Sequence, residues 1–165
     1  MINIIGTYDC KADAKGRVTI PSGLKNQLTP MMSAGFVIKH STFRDCLQLH
    51  PRKEYDETME KIKSKGRFNR KYVKMLRQFV SGAQPVSIDD SGRLQIPKDL
   101  VAFAGIQKEV VLTAIIDVIE IWDKDRYNAD MADGADEYPD LLEEVLDDRQ
   151  EIERVDENTS HDELS

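Results

Sequence analysis

The chain has 165 residues, 40% of them hydrophobic, and a formal net charge of −7. That length suits one ordinary domain or two very small ones, and the composition allows a core of modest size. No run approaches the eighteen consecutive apolar residues of a membrane-spanning helix, and the opening MINIIGTYDCKAD lacks the basic leader and long apolar block of a secretory signal, which leads to the expectation of a mature cytoplasmic protein.

The charge is unevenly placed. From Asp123 to Ser165 there are 17 acidic and 4 basic residues, a net of −13, which leaves +6 on the preceding segment. A basic body with an acidic tail hints at contact with nucleic acid.

In chain order, the isoleucine-rich stretch Ile2 to Tyr8 reads as a strand, followed by a turn at DAKG and a second strand, RVTIP. There Val18 and Ile20 share one face and Arg17 and Thr19 the other, the period of two of a half-buried strand, and Pro21 ends the ladder because it has no N–H. PSGLKNQL reads as a short helix with Leu24 and Leu28 on one side, and GFVIKHS and DCLQLHP as two further strands. From Pro51 the pattern becomes helical, with Tyr55, Met59 and Ile62 in one stripe. SKGRFN breaks it, and a second helix is expected from Arg70 to Ser81 with Tyr72, Met75, Leu76, Phe79 and Val80 facing inward. Eight basic residues and no acid lie between Lys61 and Arg77. They suit either a solvated outer face or a flank for DNA backbone or an acidic segment of a neighbouring subunit.

The first pattern then restarts. PVSID is a strand, DSG a turn, RLQIP a strand, PKDLVAFAG a short helix closed by Gly105, and KEVVLTAI and DVIEIWD two more strands. Asp13, Gly16, Arg17, Ile20 and Pro21 return seventy-six positions later as Asp89, Gly92, Arg93, Ile96 and Pro97. The fold class expected is α+β with a mainly β core, built from two copies of one unit. The organisation read from this is a first repeat over 1–54, connecting basic helices over 55–82, a second repeat over 83–126 and an acidic tail over 127–165. In the tail, Leu141, Leu142, Val145 and Leu146 mark one side of a short helix, and the polar end DENTSHDELS is expected to be disordered.

Signals of catalysis are few. His40, His50 and His161 show no metal-ligand spacing, and Cys10 and Cys46 form no C-x-x-C pair and read as reduced thiols. Phosphate-binding glycine loops and a nucleophile elbow are absent from the sequence, so no cofactor, metal or catalytic residue is expected. The repeated turn offers more. Gly16 and Gly92 stand where a tight turn needs positive φ, and Asp13 and Asp89 where a carboxylate can accept backbone N–H groups. Turn geometry accounts for Asp and Gly but does not require an exposed arginine after the glycine in both copies. An arginine fork grips phosphates, or guanine O6 and N7 together.

The motif D-x-K-G-R-[hydrophobic]-x-[hydrophobic]-P, its second D-x-x-G-R copy and the helices between them resemble the MraZ family over roughly residues 4–145. These are bacterial regulators encoded at the head of the division and cell wall gene cluster. The resemblance implies a duplicated SpoVT-AbrB swapped-hairpin, double-split β-barrel with intervening and C-terminal helices. It also implies a nucleoid-associated repressor that binds repeated promoter sites on double-stranded DNA as a homo-oligomeric ring, without a membrane role. By motif match it assigns DNA contact to Lys15, Gly16 and Arg17, and to Gly92 and Arg93 of the second copy. Ser91 replaces the lysine there, so the first turn is expected to dominate. Two other readings stand beside it: an antitoxin of the same fold whose acidic tail binds a basic toxin, and a structural oligomer that binds no DNA.

Overall fold

The computed structural model describes residues 2–66 and 69–147. The fold is α+β and is dominated by antiparallel pairing. Eight strands are present among the described residues: β1 (Thr7–Lys11), β2 (Arg17–Thr19), β3 (Phe36–His40), β4 (Leu47–Pro51), β5 (Gln84–Val86), β6 (Arg93–Gln95), β7 (Glu109–Ile115) and β8 (Val118–Asp123). Among the described residues six α-helices accompany them, α1 (Ser22–Leu28), α2 (Arg52–Gly66), α3 (Arg70–Phe79), α4 (Lys98–Ala104), α5 (Lys124–Ala132) and α6 (Tyr138–Val145), with a single 3-10 turn at Thr29–Met31 after α1. The chain divides into one compact unit up to Tyr127 and another from Asn128 onward.

Six strands form one sheet in the order β1-β7-β8-β4-β3-β5, and β2 pairs with β6 as a separate two-stranded ribbon. The first strand of each repeat thus pairs with the hairpin of the other repeat: β1 lies on β7, and β5 lies on β3. The register is that of a pseudo-twofold. In the ribbon Val18 stands opposite Leu94, with Arg17 opposite Gln95 and Thr19 opposite Arg93. In the sheet Gln48 stands opposite Glu120, with Leu47 opposite Ile121 and Leu49 opposite Ile119. Each central pair joins matching positions of the two copies, so the pseudo-axis runs through Val18–Leu94 and Gln48–Glu120. The β-rich core agrees with the expected class. The six-stranded sheet has β1 and β5 at its two ends and does not close on itself among the described residues.

The alternation read from the sequence explains the core. Val18, Ile20, Leu94 and Ile96 are all buried, together with Leu24 and Leu28 of α1 and Leu100 and Ala104 of α4. Burying the valine, isoleucine and leucine side chains contributes about 1.5–3 kcal/mol each, which is what holds the short ribbon onto the sheet. Helix α4 ends on Gly105 in the left-handed conformation (φ 64°).

Two expectations shift. The first strand runs from Thr7 to Lys11, not from Ile2 to Tyr8. Gly6 has φ 129° and interrupts the extended backbone, and Ile4 donates its N–H outside any strand, to the carbonyl of Ile116. On α3, Tyr72 and Met75 are not inward but 39% and 40% exposed. Helices α2 and α3 pack on each other, with Tyr55 stacked near Phe79 at 6.5 Å, and neither helix contributes a fully buried residue. In the second unit Leu141, Leu142, Val145 and Leu146 of the α6 region are exposed. The segment DENTSHDELS and His161 lie outside the described residues.

Candidate nucleic-acid interface

The two repeated turns have one construction. In the first, the N–H of Asp13 donates to the carbonyl of Arg17 (2.9 Å) and the N–H of Gly16 to the carbonyl of Asp13 (3.0 Å). The Asp13 carboxylate closes the loop: Oδ1 accepts the N–H groups of Lys15 and Arg17, each at 2.9 Å. In the second, Asp89 and Arg93 make the same backbone bond at 3.0 Å, Gly92 donates to Asp89 at 2.9 Å, and Asp89 Oδ1 accepts from Ser91 and Arg93, each at 2.9 Å. Gly16 and Gly92 both have φ 77°, a left-handed conformation that suits glycine. The hydrogen bonds from the Arg17 and Arg93 backbones hold the carboxyls of Asp13 and Asp89 below the usual carboxylate range.

The turns are tied to each other across the repeats. Ile20 donates its N–H to the carbonyl of Gly92 (2.8 Å), and Ile96 donates its own to the carbonyl of Gly16 (3.0 Å). Each glycine therefore shapes its own turn and extends the ladder of the β2–β6 ribbon by one bond. Gln95 Nε2 adds a bond to the carbonyl of Lys15 (2.6 Å).

Because Val18 and Leu94 face the core, the other face of the ribbon presents Arg17, Thr19, Arg93 and Gln95. Ribbon spacing puts the Cα atoms of the two arginines about 8 Å apart, two residues along and one strand across. Arg17 Nε is held by Asp13 Oδ2 at 2.7 Å, and Arg93 Nε faces Asp89 Oδ2 at 3.4 Å. Both arginine side chains remain partly exposed, at 39% and 45%. Among the described residues the hydrogen bond from the Arg17 side chain uses Nε. The carboxylate thus fixes the plane of the guanidinium at its base and leaves the end of the fork to a ligand. Lys15 is exposed at the turn tip, and Ser91 takes its place in the second turn.

Lys15, Gly16 and Arg17 stand at one end of the ribbon and Gly92 and Arg93 at the other; Lys15 and Arg93 are exposed and Arg17 partly so, whereas Gly16 and Gly92 are buried and shape the turns from within. Sequence reasoning missed Gln95, whose side chain braces the first turn, and Lys25 of α1, whose side chain lies against Gly92. A Cβ at Gly92 would stand 3.2 Å from Lys25 Cδ and 3.3 Å from its Nζ. The available signal was repeat position, since Lys25 matches Val101 and Val101 lies against Gly16.

Chemistry of other kinds has little to work with. Among the described residues no three His, Cys, Asp or Glu side chains gather as metal ligands, and no helix is long and apolar enough to cross a membrane. A cleft of about 600 Å³ lies beside His40, Phe79 and Phe103, where His40 stacks on Phe103 at 3.8 Å. Burial, with Asp9 and Glu109 adding to it, pushes the Cys10 thiol up to about 12, so it carries little thiolate at neutral pH.

Comparison with known proteins gives one consistent result. The family described as "MraZ protein, putative antitoxin-like" matches residues 4–77 and 79–138. The chain is 51% identical to the transcriptional regulator MraZ of Christiangramia forsetii over 146 residues, covering 88% of this chain and 94% of that protein. It is 46% identical to the protein of that name in Flavobacterium psychrophilum, covering 88% and 93%, and 34% identical to the one in Bacteroides thetaiotaomicron, covering 93% and 100%. With a family match across most of its length and relatives aligned nearly end to end, the chain belongs to the MraZ family.

Proposed function

We propose that the protein is a transcription regulator that binds double-stranded DNA through the exposed face of the β2–β6 ribbon. One observation carries the reading: Arg17 and Arg93 lie on one face of a two-stranded ribbon, each with its Nε directed at a carboxylate of its own turn. A two-stranded ribbon fits the major groove, and an arginine fork presented end-on matches guanine O6 and N7 or a phosphate. The +6 charge of the segment before Asp123 supplies the attraction to the DNA backbone. The naming of the relatives as transcriptional regulators supports the same reading.

In this reading Lys15, Gly16 and Arg17 form the stronger contact, and Gly92 and Arg93 the matching one across the pseudo-axis. The targets are repeated promoter sites at the division and cell wall gene cluster, the outcome is repression, and several copies assemble into a ring that engages neighbouring repeats together. Such a protein works in the cytoplasm on the nucleoid and is not an enzyme. The test is footprinting of the region upstream of its own gene with wild type and Arg17→Ala. A base-reading arginine is worth about 1–3 kcal/mol per engaged site, so protection should disappear at concentrations where wild type gives it. Unchanged protection, or an affinity insensitive to salt, would count against the proposal.

The family description's "antitoxin-like" favours a second reading, in which the acidic C-terminal segment wraps a basic toxin. Co-purification of a small basic nuclease with the chain would support it.

A further inference from the structure

The two turns differ in sequence at the tip, where Lys15 corresponds to Ser91, and on that ground the second turn is the poorer in positive charge. Its surroundings supply a lysine from another element. Strand β2 runs straight through Pro21 into α1, and the Ile20 N–H is bonded to the Gly92 carbonyl, so the first turn of α1 is fixed against the 89–92 turn. Leu24 and Lys25 both donate their N–H groups to the carbonyl of Pro21 (3.1 and 2.8 Å). This winds Leu24 into the core and leaves Lys25 on the side facing Gly92, with Lys25 Nζ 3.3 Å from the position a Gly92 Cβ would take. Around the pseudo-axis the same construction brings Val101 of α4 to Gly16, with Cγ2 at 3.3 Å. The first turn therefore has Arg17, its own Lys15 and an apolar neighbour, while the second has Arg93, Asp90, a serine and a lysine from the other repeat.

We propose that Lys25 is the basic partner of the second turn, an anion-contacting residue that completes with Arg93 a phosphate grip equivalent to that of Lys15 with Arg17. The proposal rests on the DNA-binding reading above, and it gives each turn one arginine and one lysine although the two are unlike in sequence, with Asp90 standing where the first turn has Ala14. Lys25 is not fully buried, and among the described residues no salt bridge includes it, so its ammonium has no carboxylate to leave before meeting a phosphate.

The experiment measures affinity of the full chain, as a function of NaCl, for a duplex from the region upstream of its own gene, by fluorescence anisotropy. The variants are Lys25→Gln, Lys25→Arg, the double variant Lys25→Gln with Ser91→Lys, and Arg17→Ala. Lys25→Gln is expected to weaken binding about tenfold, as loss of a charge-assisted hydrogen bond does, and to make the salt slope shallower by about one per engaged second turn. Lys25→Arg should bind like wild type, and Ser91→Lys should restore what Lys25→Gln loses, because it returns the charge to the turn from a different backbone position. If Arg17→Ala loses affinity while Lys25→Gln keeps that of wild type, the assignment of Lys25 is wrong and the DNA-binding reading stands. If Lys25→Gln weakens binding and neither Lys25→Arg nor Ser91→Lys brings it back, charge is not the cause and the assignment is again wrong. If Arg17→Ala also binds like wild type, the ribbon is not the DNA-binding face and both readings fall.

Discussion

Arg17 Nε lies 2.7 Å from Asp13 Oδ2, while the other oxygen of the same carboxylate receives the Arg17 backbone N–H at 2.9 Å. One aspartate thus holds both the peptide and the side chain of the arginine that follows its turn. Asp89 and Arg93 repeat the relationship more loosely, at 3.4 Å for the side chains. Asp13→Asn retains an acceptor for the backbone N–H groups but loses the charge that directs the guanidinium, so the fold should survive and affinity for DNA should fall. Asp13→Ala removes both functions and should also lower the melting temperature. Thermal melts and binding curves of the two variants, side by side, separate the turn-building role from the arginine-holding role. Because the folded-state pKa of Asp13 is lowered, the stabilisation is complete above the ordinary value of 3.8 and is lost as pH falls below it.

The two glycines should respond differently to alanine although their backbones match. Both have φ 77°, where an L-residue costs roughly 1–2 kcal/mol. At Gly16 the added Cβ would lie 3.0 Å from the backbone carbonyl oxygen of Ile96, whose N–H is bonded to Gly16, so the ribbon itself would have to shift. At Gly92 the obstacle is the side chain of Lys25, which can swing aside. Gly16→Ala should therefore be the more destabilising by about 1 kcal/mol, the worth of one weakened hydrogen bond. Urea unfolding of the two variants reads the difference directly as a shift of midpoint at constant slope.

These cases also show what a linear sequence can and cannot convey. Val18 and Ile20, and Leu94 and Ile96, were legible because a half-buried strand imposes a period of two on its own residues. Asp13 and Gly16 were legible because the carboxylate and the positive φ act within five residues. The pairing of β2 with β6 joins positions seventy-six apart, and only that pairing brings Lys25 to Gly92 and Gln95 to Lys15, so neither residue carried a local signal. Tyr72 and Met75 failed for another reason. Helical spacing identifies a common face but is silent about what lies against it, and α3 packs on α2 without the core behind it.

His50 makes the stability depend on pH. It is buried in β4, edge-on to Tyr55 at 6.0 Å, with Nε2 3.1 Å from Gln48 Oε1. Burial, with the buried Lys39 adding to it and Asp117 opposing, lowers its pKa from 6.5 to about 4. Between these values the unfolded chain binds a proton that the folded chain does not. His50 therefore contributes stability that is fully present above pH 6.5 and is lost as pH falls toward 4. From pH 7.5 to pH 5 the loss is on the order of 2 kcal/mol. His50→Gln should be less stable than wild type at pH 7.5 and should show a flatter profile over that range. The measurement is urea unfolding at several pH values, and a parallel decline in both proteins would show that His50 is not the titrating group.

Ile116 offers a stabilising substitution. It is the one non-glycine residue with positive φ among those described, at 60°, and it opens the two-residue turn between β7 and β8. A tight hairpin of this kind wants glycine, asparagine or aspartate at such a position, because the right-handed twist of the strands demands a left-handed turn residue. A β-branched side chain there crowds its own carbonyl, at a cost of roughly 1–2 kcal/mol. The side chain returns little, since it is 57% exposed. What the residue supplies to the fold is its carbonyl, which accepts the N–H of Ile4 at 2.6 Å and tethers the start of the chain to the hairpin. Glycine keeps that carbonyl. Ile116→Gly should thus relieve the backbone strain, offset in part by the greater freedom of glycine in the unfolded chain, and leave a net gain of about 0.5–1 kcal/mol. Ile116→Asn should gain as much without the entropic cost. A melting temperature raised in both variants, with DNA affinity unchanged because the turn lies outside the β2–β6 ribbon, is the expected result. A lower melting temperature in both would mean that the isoleucine side chain contributes packing that outweighs its backbone strain.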